Sequence, residues 1–373
     1  MTRRTAWLTL RALVGVALLA APAWVLASTD GAVPHQHWTL GALLAVSALA
    51  GLVLLATTVR AWRRAAATPA TAPATTPAAI PASAPAATPA GTPGSTRAVA
   101  PAATAGSTSA VTPGTMPAAT PASDPGRPHR RLRAVGAGVG LVLLAVLAAA
   151  VAWLRPFPAT PAALDALRGD DAVEVRESAG WYAFVPRGTE PTTGLVYSPG
   201  ARVDVRATAA VLRPLAEAGY LVVALKEPLG IALTAPGQPA SAMAAFDDVD
   251  RWAVGGHSLG GVAASSFAAA HPEEVSGLLL HASYPLGDLS GTDLPVASVS
   301  GSADGLTTPA DVAASRATLP AGTVFTEVDG AVHAFFADYG PQPGDGTPTV
   351  SRAAAQAEIV AASRAFLAEV AAG

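Results

Sequence analysis

The chain has 373 residues, of which 51% are apolar and only 13% are charged. This charged share is about half of that in an ordinary soluble domain, which points to membrane-spanning or low-complexity sequence. Because the chain contains no cysteine, disulfides, thiolate catalysis and cysteine metal sites are excluded.

The charges are divided unevenly between two parts of the chain. Residues 1–155 carry twelve Arg or Lys and two Asp or Glu, whereas residues 156–373 carry eleven and twenty-four. The first part is therefore basic and the second is acidic. Since nucleic-acid binding depends on basic side chains that meet phosphates, we expect no nucleic-acid partner for the acidic part.

Three long apolar stretches lie in the basic part, which predicts a membrane region over residues 1–60 and a further span after it. Residues 38–59 and 134–154 contain no charge and are long enough to cross the hydrocarbon core as helices. Buried core helices are the alternative for both. The first stretch, residues 5–27, is either a span or signal anchor, or a signal peptide that is cleaved after the sequence VLAS.

Arginines flank these stretches and predict their orientation. They form three clusters: Arg3 and Arg4; Arg60, Arg63 and Arg64; Arg130, Arg131 and Arg133. By the positive-inside rule, the amino terminus and residues 61–133 lie inside and the loop around Asp30 lies outside. Everything after Leu154 is then outside. We therefore predict a multi-pass protein of the cell membrane with an extracytoplasmic carboxyl-terminal domain.

Residues 61–133 consist mainly of Ala, Thr and Pro. They contain almost no large apolar residue, cannot bury a core and are predicted to be a disordered linker. Thr- and Pro-rich sequence is also typical of exposed, glycosylated stalks. The flanking arginines favour the inside location.

Residues 156–373 alternate between strand-like and helix-like segments, which predicts one α/β domain. Its mostly parallel sheet should be covered by helices on both faces. Three segments are predicted as helices: 207–220, 258–270 and 350–371. Eight segments are predicted as strands: VEVRES, WYAFVP, TGLVYSPG, YLVVAL, RWAVGG, VSGLLLHAS, LPVASVSG and TVFTEVDG.

One serine lies between two glycines at a predicted strand-to-helix turn. The sequence GGHSLGG places Ser258 between Gly256 and Gly260, as in the sharp turn that exposes a nucleophilic serine. The glycines fit because such a turn has no room for side chains. A small serine in an ordinary tight turn is the alternative.

A nucleophilic serine needs a base and an acid that orients the base. In this type of fold the chain order is serine, acid, histidine, and only His333 among the domain's histidines fits it. Asp304 follows the next-to-last predicted strand and is the candidate acid, although aspartate is also common in turns. Asp329 is the rival acid, but it is too close to His333 in sequence. The other histidines of the domain are interpreted differently. His257 is expected to pack behind the serine turn, His271 to cap a helix end, and His281 to lie at a strand end.

An oxyanion site needs two backbone N–H groups, which we expect from Leu259 and Ala201. Leu259 directly follows the serine, and Gly200 lets the backbone before Ala201 approach closely. In the same loop, Arg202 and Asp204 are predicted either to face a substrate or to form an exposed charge pair.

Two further segments have open interpretations. Lys226 and Glu227 follow the strand YLVVAL and are predicted either to face a substrate or to form a surface ion pair. The segment DYGPQPGDG after His333 is either a connector into the last helix or a brace for the histidine.

These motifs resemble those of the α/β-hydrolase superfamily and, more narrowly, of small bacterial dienelactone-hydrolase-like proteins. The resemblance covers nearly all of residues 156–373 and includes YSPGARVD, VGGHSLGG, SGSADGL and HAFFADYGPQPGDG. It implies nucleophile, acid and base roles for Ser258, Asp304 and His333. The narrower group often has Gly-Asn before the histidine, where this chain has Ala-Val.

The expected function is a membrane-anchored serine hydrolase that cleaves a small carboxylic ester through an acyl-enzyme, without a metal or organic cofactor. A thioesterase, lactonase or peptidase with the same triad is one alternative, and a non-catalytic envelope binding protein is another. Residues 228–250 are too few for a large lid, which favours small or accessible substrates over long lipids. The lipid bilayer is the other expected partner, and protein partners are not predicted.

Overall fold

The computed structural model describes residues 2–67 and 127–373. Most of the predicted linker, residues 61–133, lies outside the described residues, so its disorder stays a prediction. The described part of the first half forms three long helices: α1 (Arg3–Ala27), α2 (Trp38–Ala67) and α3 (Arg127–Trp153).

All three helices are long and apolar enough to span a membrane. The qualifying segments have mean hydropathies of 1.9 for Arg3–Ala27, 2.3 for Trp38–Ala67 and 2.5 for Leu132–Trp153. Most of their large apolar side chains are exposed, for example Leu49 at 62% and Leu143 at 63%. Exposed leucines on a helix are stable when lipid surrounds them.

The chain forms two compact units. One comprises residues 62–138, of which the structure describes the last turns of α2 and the first turns of α3. The other comprises residues 1–61 and 139–373, so it contains most of the three helices and the whole carboxyl-terminal domain. In this unit α1 and α2 are joined by a hydrogen bond from the Ser47 hydroxyl to the Leu18 carbonyl, at 2.9 Å.

The carboxyl-terminal domain contains eight strands and six α-helices. The strands are β1 (Val173–Glu177), β2 (Trp181–Pro186), β3 (Thr193–Ser198), β4 (Leu221–Leu225), β5 (Arg251–His257), β6 (Gly277–His281), β7 (Val296–Gly301) and β8 (Val324–Val328). The helices are α4 (Pro161–Ala166), α5 (Ala209–Glu217), α6 (Gln238–Met243), α7 (Leu259–Ala270), α8 (Pro309–Ser315) and α9 (Arg352–Ala372). All eight predicted strands and all three helices predicted in this domain are confirmed, with ends shifted by a few residues.

The strands form one sheet in the order β1-β2-β4-β3-β5-β6-β7-β8. Strands β3 to β8 are parallel to one another, and β2 is antiparallel to both of its neighbours. The six parallel strands therefore end at one edge, which we call the carboxyl edge. Loops at this edge of an open parallel sheet usually carry the functional side chains.

Alternating side chains of the strands build two cores on opposite faces of the sheet. Leu195, Tyr197 and Val222 point to the face covered by α5 and α9. Val196 and Val223 point to the face covered by α6 and α7. Because both faces are buried, the central strands are continuous apolar runs, and the predicted mostly parallel sheet is confirmed.

Candidate active site

Ser258 occupies a sharp turn between β5 and α7 at the carboxyl edge. Its backbone has φ 54° and ψ −124°, an unfavourable conformation for a residue with a side chain. Its N–H donates to the His281 carbonyl at 3.0 Å, and its carbonyl accepts from the Ser283 hydroxyl at 2.7 Å. Bonds to the neighbouring strand β6 thus hold the strained turn in place.

The two flanking glycines are required by close backbone contacts. A Cβ at Gly256 would lie 2.4 Å from the carbonyl carbon of Gly260, and a Cβ at Gly260 would lie 2.0 Å from the carbonyl oxygen of Ser198. Both distances are far below van der Waals contact. The Gly-x-Ser-x-Gly spacing therefore reflects the packing of α7 against the end of β3.

Asp304 and His333 are brought together in a buried hydrogen bond. Asp304 Oδ2 lies 2.9 Å from His333 Nδ1, and both side chains are at most 2% exposed. The other carboxylate oxygen, Oδ1, accepts from the backbone N–H groups of Leu306 and Thr307, each at 2.8 Å. These three bonds fix the carboxylate and orient the imidazole, so that its Nε2 points away from Asp304.

The imidazole of His333 lies beside the serine turn. Its ring centroid is 4.5 Å from that of His257, the residue that directly precedes Ser258. Among the residues that the structure describes, neither the Ser258 hydroxyl nor His333 Nε2 forms a hydrogen bond. Both groups are therefore free to bind each other or a ligand.

His257 itself is buried in the wall behind the site. It is 1% exposed, and burial lowers the pKa of its imidazole well below the usual range. A Cβ at Gly200 would lie 2.7 Å from its Nδ1, so the loop after β3 packs directly on this ring. A neutral, enclosed imidazole fits the packing role expected from the sequence.

Asp345 ties the histidine loop to the acid loop. Its carboxylate accepts from the N–H groups of His333 at 3.1 Å, Ala334 at 2.9 Å and Gly305 at 3.3 Å. Asp345 belongs to the segment DYGPQPGDG, so the brace interpretation of that segment is supported over a plain connector. Asp345 was not among the residues predicted from the sequence, although its position between two glycines could have indicated a structural role for it.

The two amides expected to bind an oxyanion lie at the start of α7 and in the loop after β3. Leu259 is the first residue of α7, and Ala201 follows the Gly200 backbone that packs on His257. In the described part of the chain, neither N–H has a hydrogen-bond partner. Both residues are half-buried.

Of the two roles considered for Arg202 and Asp204, the exposed charge pair is wrong. Asp204 is fully buried and binds Arg206 at 2.7 Å and the side-chain amide of Gln36 at 2.9 Å. Arg202 instead stacks on Trp153 at the end of α3, with 4.8 Å between its guanidinium carbon and the ring centroid. Neither residue forms the exposed charge pair that the sequence suggested.

The expected surface ion pair of Lys226 with Glu227 is also wrong. Both residues are buried, at 3% and 5% exposure, and Lys226 binds Glu177 at 2.6 Å. Within the described residues, neither carboxylate oxygen of Glu227 has a hydrogen-bond partner. Burial raises the pKa of Glu227 to about 7, an effect that the nearby Ser198 side chain opposes.

This raised pKa predicts a pH-dependent stability change. The folded chain holds the Glu227 proton to a higher pH than the unfolded chain does, so the stability penalty grows as the pH rises from about 4.5 to 7. Glu227→Gln should therefore raise the free energy of unfolding by about 3 kcal/mol at pH 8 and leave it unchanged at pH 4. Chemical unfolding in detergent at both pH values measures this.

The matched control for this substitution is Glu190→Gln, which changes an exposed glutamate in the same way. It should have no effect on stability at either pH. Equal stabilisation by Glu227→Gln at pH 4 and pH 8 would contradict the raised pKa.

The remaining candidates lie outside the site or behind it. His281 is fully buried between the Tyr197 hydroxyl at 3.0 Å and the Ser363 hydroxyl at 2.8 Å, and burial lowers its pKa to about 3. His271 binds the Phe267 carbonyl at the end of α7, which agrees with the expected capping position. Asp329, the rival acid, binds the Ser302 hydroxyl at 3.0 Å.

A family comparison identifies the fold that carries this site. Residues 194–357 match a family model described as the alpha/beta hydrolase family. The carboxyl-terminal domain belongs to the α/β-hydrolase superfamily. The predicted α/β-hydrolase fold is confirmed, whereas the narrower resemblance of the hydrolase domain to dienelactone-hydrolase-like proteins stays a prediction.

Several solved structures are similar to the hydrolase domain. A predicted CIB-like hydrolase from Thermoplasma acidophilum has 16% identity, covers 53% of this chain and 99% of its own, and has a TM-score of 0.39. An esterase from Pyrobaculum calidifontis has 16% identity, coverages of 56% and 88%, and a TM-score of 0.42. The iron-lacking apo form of EstFA has 14% identity, coverages of 54% and 88%, and a TM-score of 0.39. A search of curated proteins gave no match.

Proposed function

We propose that the protein is a membrane-anchored serine hydrolase that cleaves carboxylic esters through an acyl-enzyme. The observation that carries this proposal is the buried Asp304–His333 hydrogen bond, which leaves Nε2 of the imidazole free beside the Ser258 turn. A serine hydroxyl is a poor nucleophile until a neighbouring base removes its proton, and histidine has a suitable pKa for this.

The residues would act in two steps. Ser258 Oγ attacks the ester carbonyl while His333 Nε2 takes the hydroxyl proton, and the N–H groups of Leu259 and Ala201 bind the oxyanion. The alcohol leaves with the proton from His333. Water then attacks the acyl-serine with the same base, which releases the acid and restores Ser258. Asp304 holds the imidazole in the tautomer that this exchange needs.

The Ser258 backbone and α7 support the same roles. Because the helix begins directly after the serine, its free amino-terminal N–H groups and its dipole favour negative charge at this point. The strained turn also keeps the hydroxyl clear of the sheet. A thioesterase, lactonase or peptidase would use the same residues.

A fluorophosphonate probe separates a hydrolase from a non-catalytic binding protein. The full chain in detergent should be labelled in a 1:1 ratio, and labelling should abolish hydrolysis of a short-chain p-nitrophenyl ester. A folded protein that resists the probe and leaves the ester intact would instead be a binding protein on a hydrolase fold.

We further propose that α1, α2 and α3 cross the cell membrane and hold the hydrolase domain outside. The loop between α1 and α2 contacts the domain, since Gln36 binds Asp204, and Arg155 after α3 binds the Ser28 hydroxyl at 2.7 Å. The α1–α2 loop and the hydrolase domain therefore share one side of the helices, as the arrangement of arginines predicts.

Cysteine labelling tests this topology directly because the chain has no cysteine of its own. In intact cells, a membrane-impermeant maleimide should modify Glu190→Cys in the hydrolase domain but not Ala66→Cys at the end of α2. Both positions are exposed, so both should react once the cells are opened. The reverse pattern in intact cells would place the hydrolase domain inside.

A further inference from the structure

The carboxyl edge of the sheet faces the ends of the apolar helices. Gln36 binds Asp204 after β3, and Thr39 Oγ1 accepts from the N–H of Leu229 after β4, at 2.9 Å. His35 binds the Tyr182 hydroxyl at 2.7 Å, near the start of the antiparallel strand β2. All three contacts lie at the edge where β5 ends in the serine turn.

The loop after β4 is in apolar contact with the helices as well. Leu229 and Ile231 pack on a buried cluster formed by the ends of the three helices: Val25, Leu40, Leu44, Val151 and Leu154. Exposed tryptophans mark the same level, namely Trp24, Trp38 and Trp153. Tryptophan is enriched where a helix passes from hydrocarbon into water, so this level corresponds to a membrane surface.

Four exposed apolar side chains follow strands that end at the carboxyl edge, and we call them the rim. They are Leu233 at 44%, Tyr284 at 42%, Leu286 at 63% and Leu306 at 37% exposure. Each follows the end of a strand near β5: Leu233 comes after β4, Tyr284 and Leu286 after β6, and Leu306 after β7. The turn that contains Leu233 also contacts α7, which starts at the serine.

Most of the exposed large apolar side chains of the hydrolase domain belong to the rim. In the hydrolase domain, all of which the structure describes, the other exposed large apolar side chain is Val324, at 52%. Val324 is the first residue of β8 and so lies at the opposite edge of the sheet. The exposed leucines of the domain therefore lie in segments that follow strands ending at the carboxyl edge, the edge that the apolar helices contact, and a lipid surface there would cover them.

We propose that the substrate is an acyl ester of a membrane lipid, which reaches Ser258 from the bilayer surface. This inference rests on the proposed function. Ser258 Oγ forms a bond to the lipid acyl carbon, the lysolipid alcohol leaves with the proton from His333, and water releases the fatty acid.

The short segment over residues 228–250 favoured small substrates in the sequence-based prediction because it is too short to form a large lid. A bilayer that lies against the rim shields the site even though the protein has no large lid over these residues.

The test compares two esters with the full chain in nanodiscs of phosphatidylcholine and phosphatidylglycerol. One ester is a phosphatidylcholine with a fluorophore on one acyl chain and a quencher on the other, and the other is water-soluble p-nitrophenyl acetate. The wild type should hydrolyse both. Leu233→Asn should lower the ratio of lipid to soluble-ester turnover by at least about fivefold, because the rim loses an apolar contact with the bilayer.

Val324→Asn is the matched control and should leave the ratio unchanged. Soluble-ester turnover reports in each variant that the site is folded. The inference is overturned if the wild type cleaves only the soluble ester, or if Leu233→Asn does not change the ratio. Failure of the wild type to cleave either ester would overturn the proposed function instead, and this inference with it.

Discussion

Replacing Ser258 with alanine is expected to lower kcat/KM for a short-chain p-nitrophenyl ester by a factor on the order of 10⁴ or more. Without the hydroxyl no acyl-enzyme forms, and only the binding of substrate and oxyanion remains. The alanine side chain fits the strained turn, and the backbone bonds of Ser258 to His281 and Ser283 are kept. Steady-state kinetics of the purified full chain in detergent measures the loss.

Ser276→Ala is the control for this substitution. Ser276 is half-buried and lies just before β6, at the edge of the sheet opposite the carboxyl edge. Its loss should change turnover less than twofold. If Ser258→Ala keeps more than a tenth of the wild-type activity, Ser258 is not the nucleophile.

Asp304→Asn is expected to lower kcat by a factor on the order of 10³ to 10⁴. The asparagine can still accept from the Leu306 and Thr307 N–H groups through its carbonyl oxygen. Its amide would face His333 Nδ1, however, and a donor there favours the tautomer that carries its proton on Nε2. An imidazole in that tautomer cannot take the proton of Ser258.

The rival acid supplies a matched control for the asparagine substitution. Asp329→Asn keeps an acceptor for the Ser302 hydroxyl and leaves the bond between Asp304 and His333 intact. We expect a change in kcat of less than about threefold. Comparable losses in the two variants would mean that Asp304 does not orient the base.

The sequence predicted the fold of the domain well because its central strands are short apolar runs separated by turn residues. The run from Leu221 to Leu225 is buried throughout, and the turn at Ser258 carries the two glycines that its packing demands. The pairing of Asp304 with His333 was predicted from chain order and position at strand ends, and the structure joins them at 2.9 Å. The local sequence pattern was sufficient to predict the strands and the serine turn, and the chain order was sufficient to predict the pairing of Asp304 with His333.

The surroundings of the buried charges were predicted wrongly because they depend partly on residues far away in sequence. Lys226 and Glu227 are adjacent, and neighbouring side chains of an extended segment point to opposite faces, so they do not pair. Lys226 instead meets Glu177, 49 residues earlier. Asp204 binds Arg206, two residues later, and also Gln36 across 168 residues, a contact that only the assembled unit creates. No local pattern in the sequence signals the contacts with Glu177 and Gln36.

Trapping the acyl-enzyme and locating its acyl group tests the proposed mechanism most directly. The full chain is mixed with p-nitrophenyl butyrate, quenched in acid within the first turnover, digested and examined by mass spectrometry. We predict a butyryl group on Ser258 in the wild type and no butyryl group in Ser258→Ala. Turnover with the acyl group on another residue, or with no acylated residue at all, would contradict a mechanism in which Ser258 is the nucleophile.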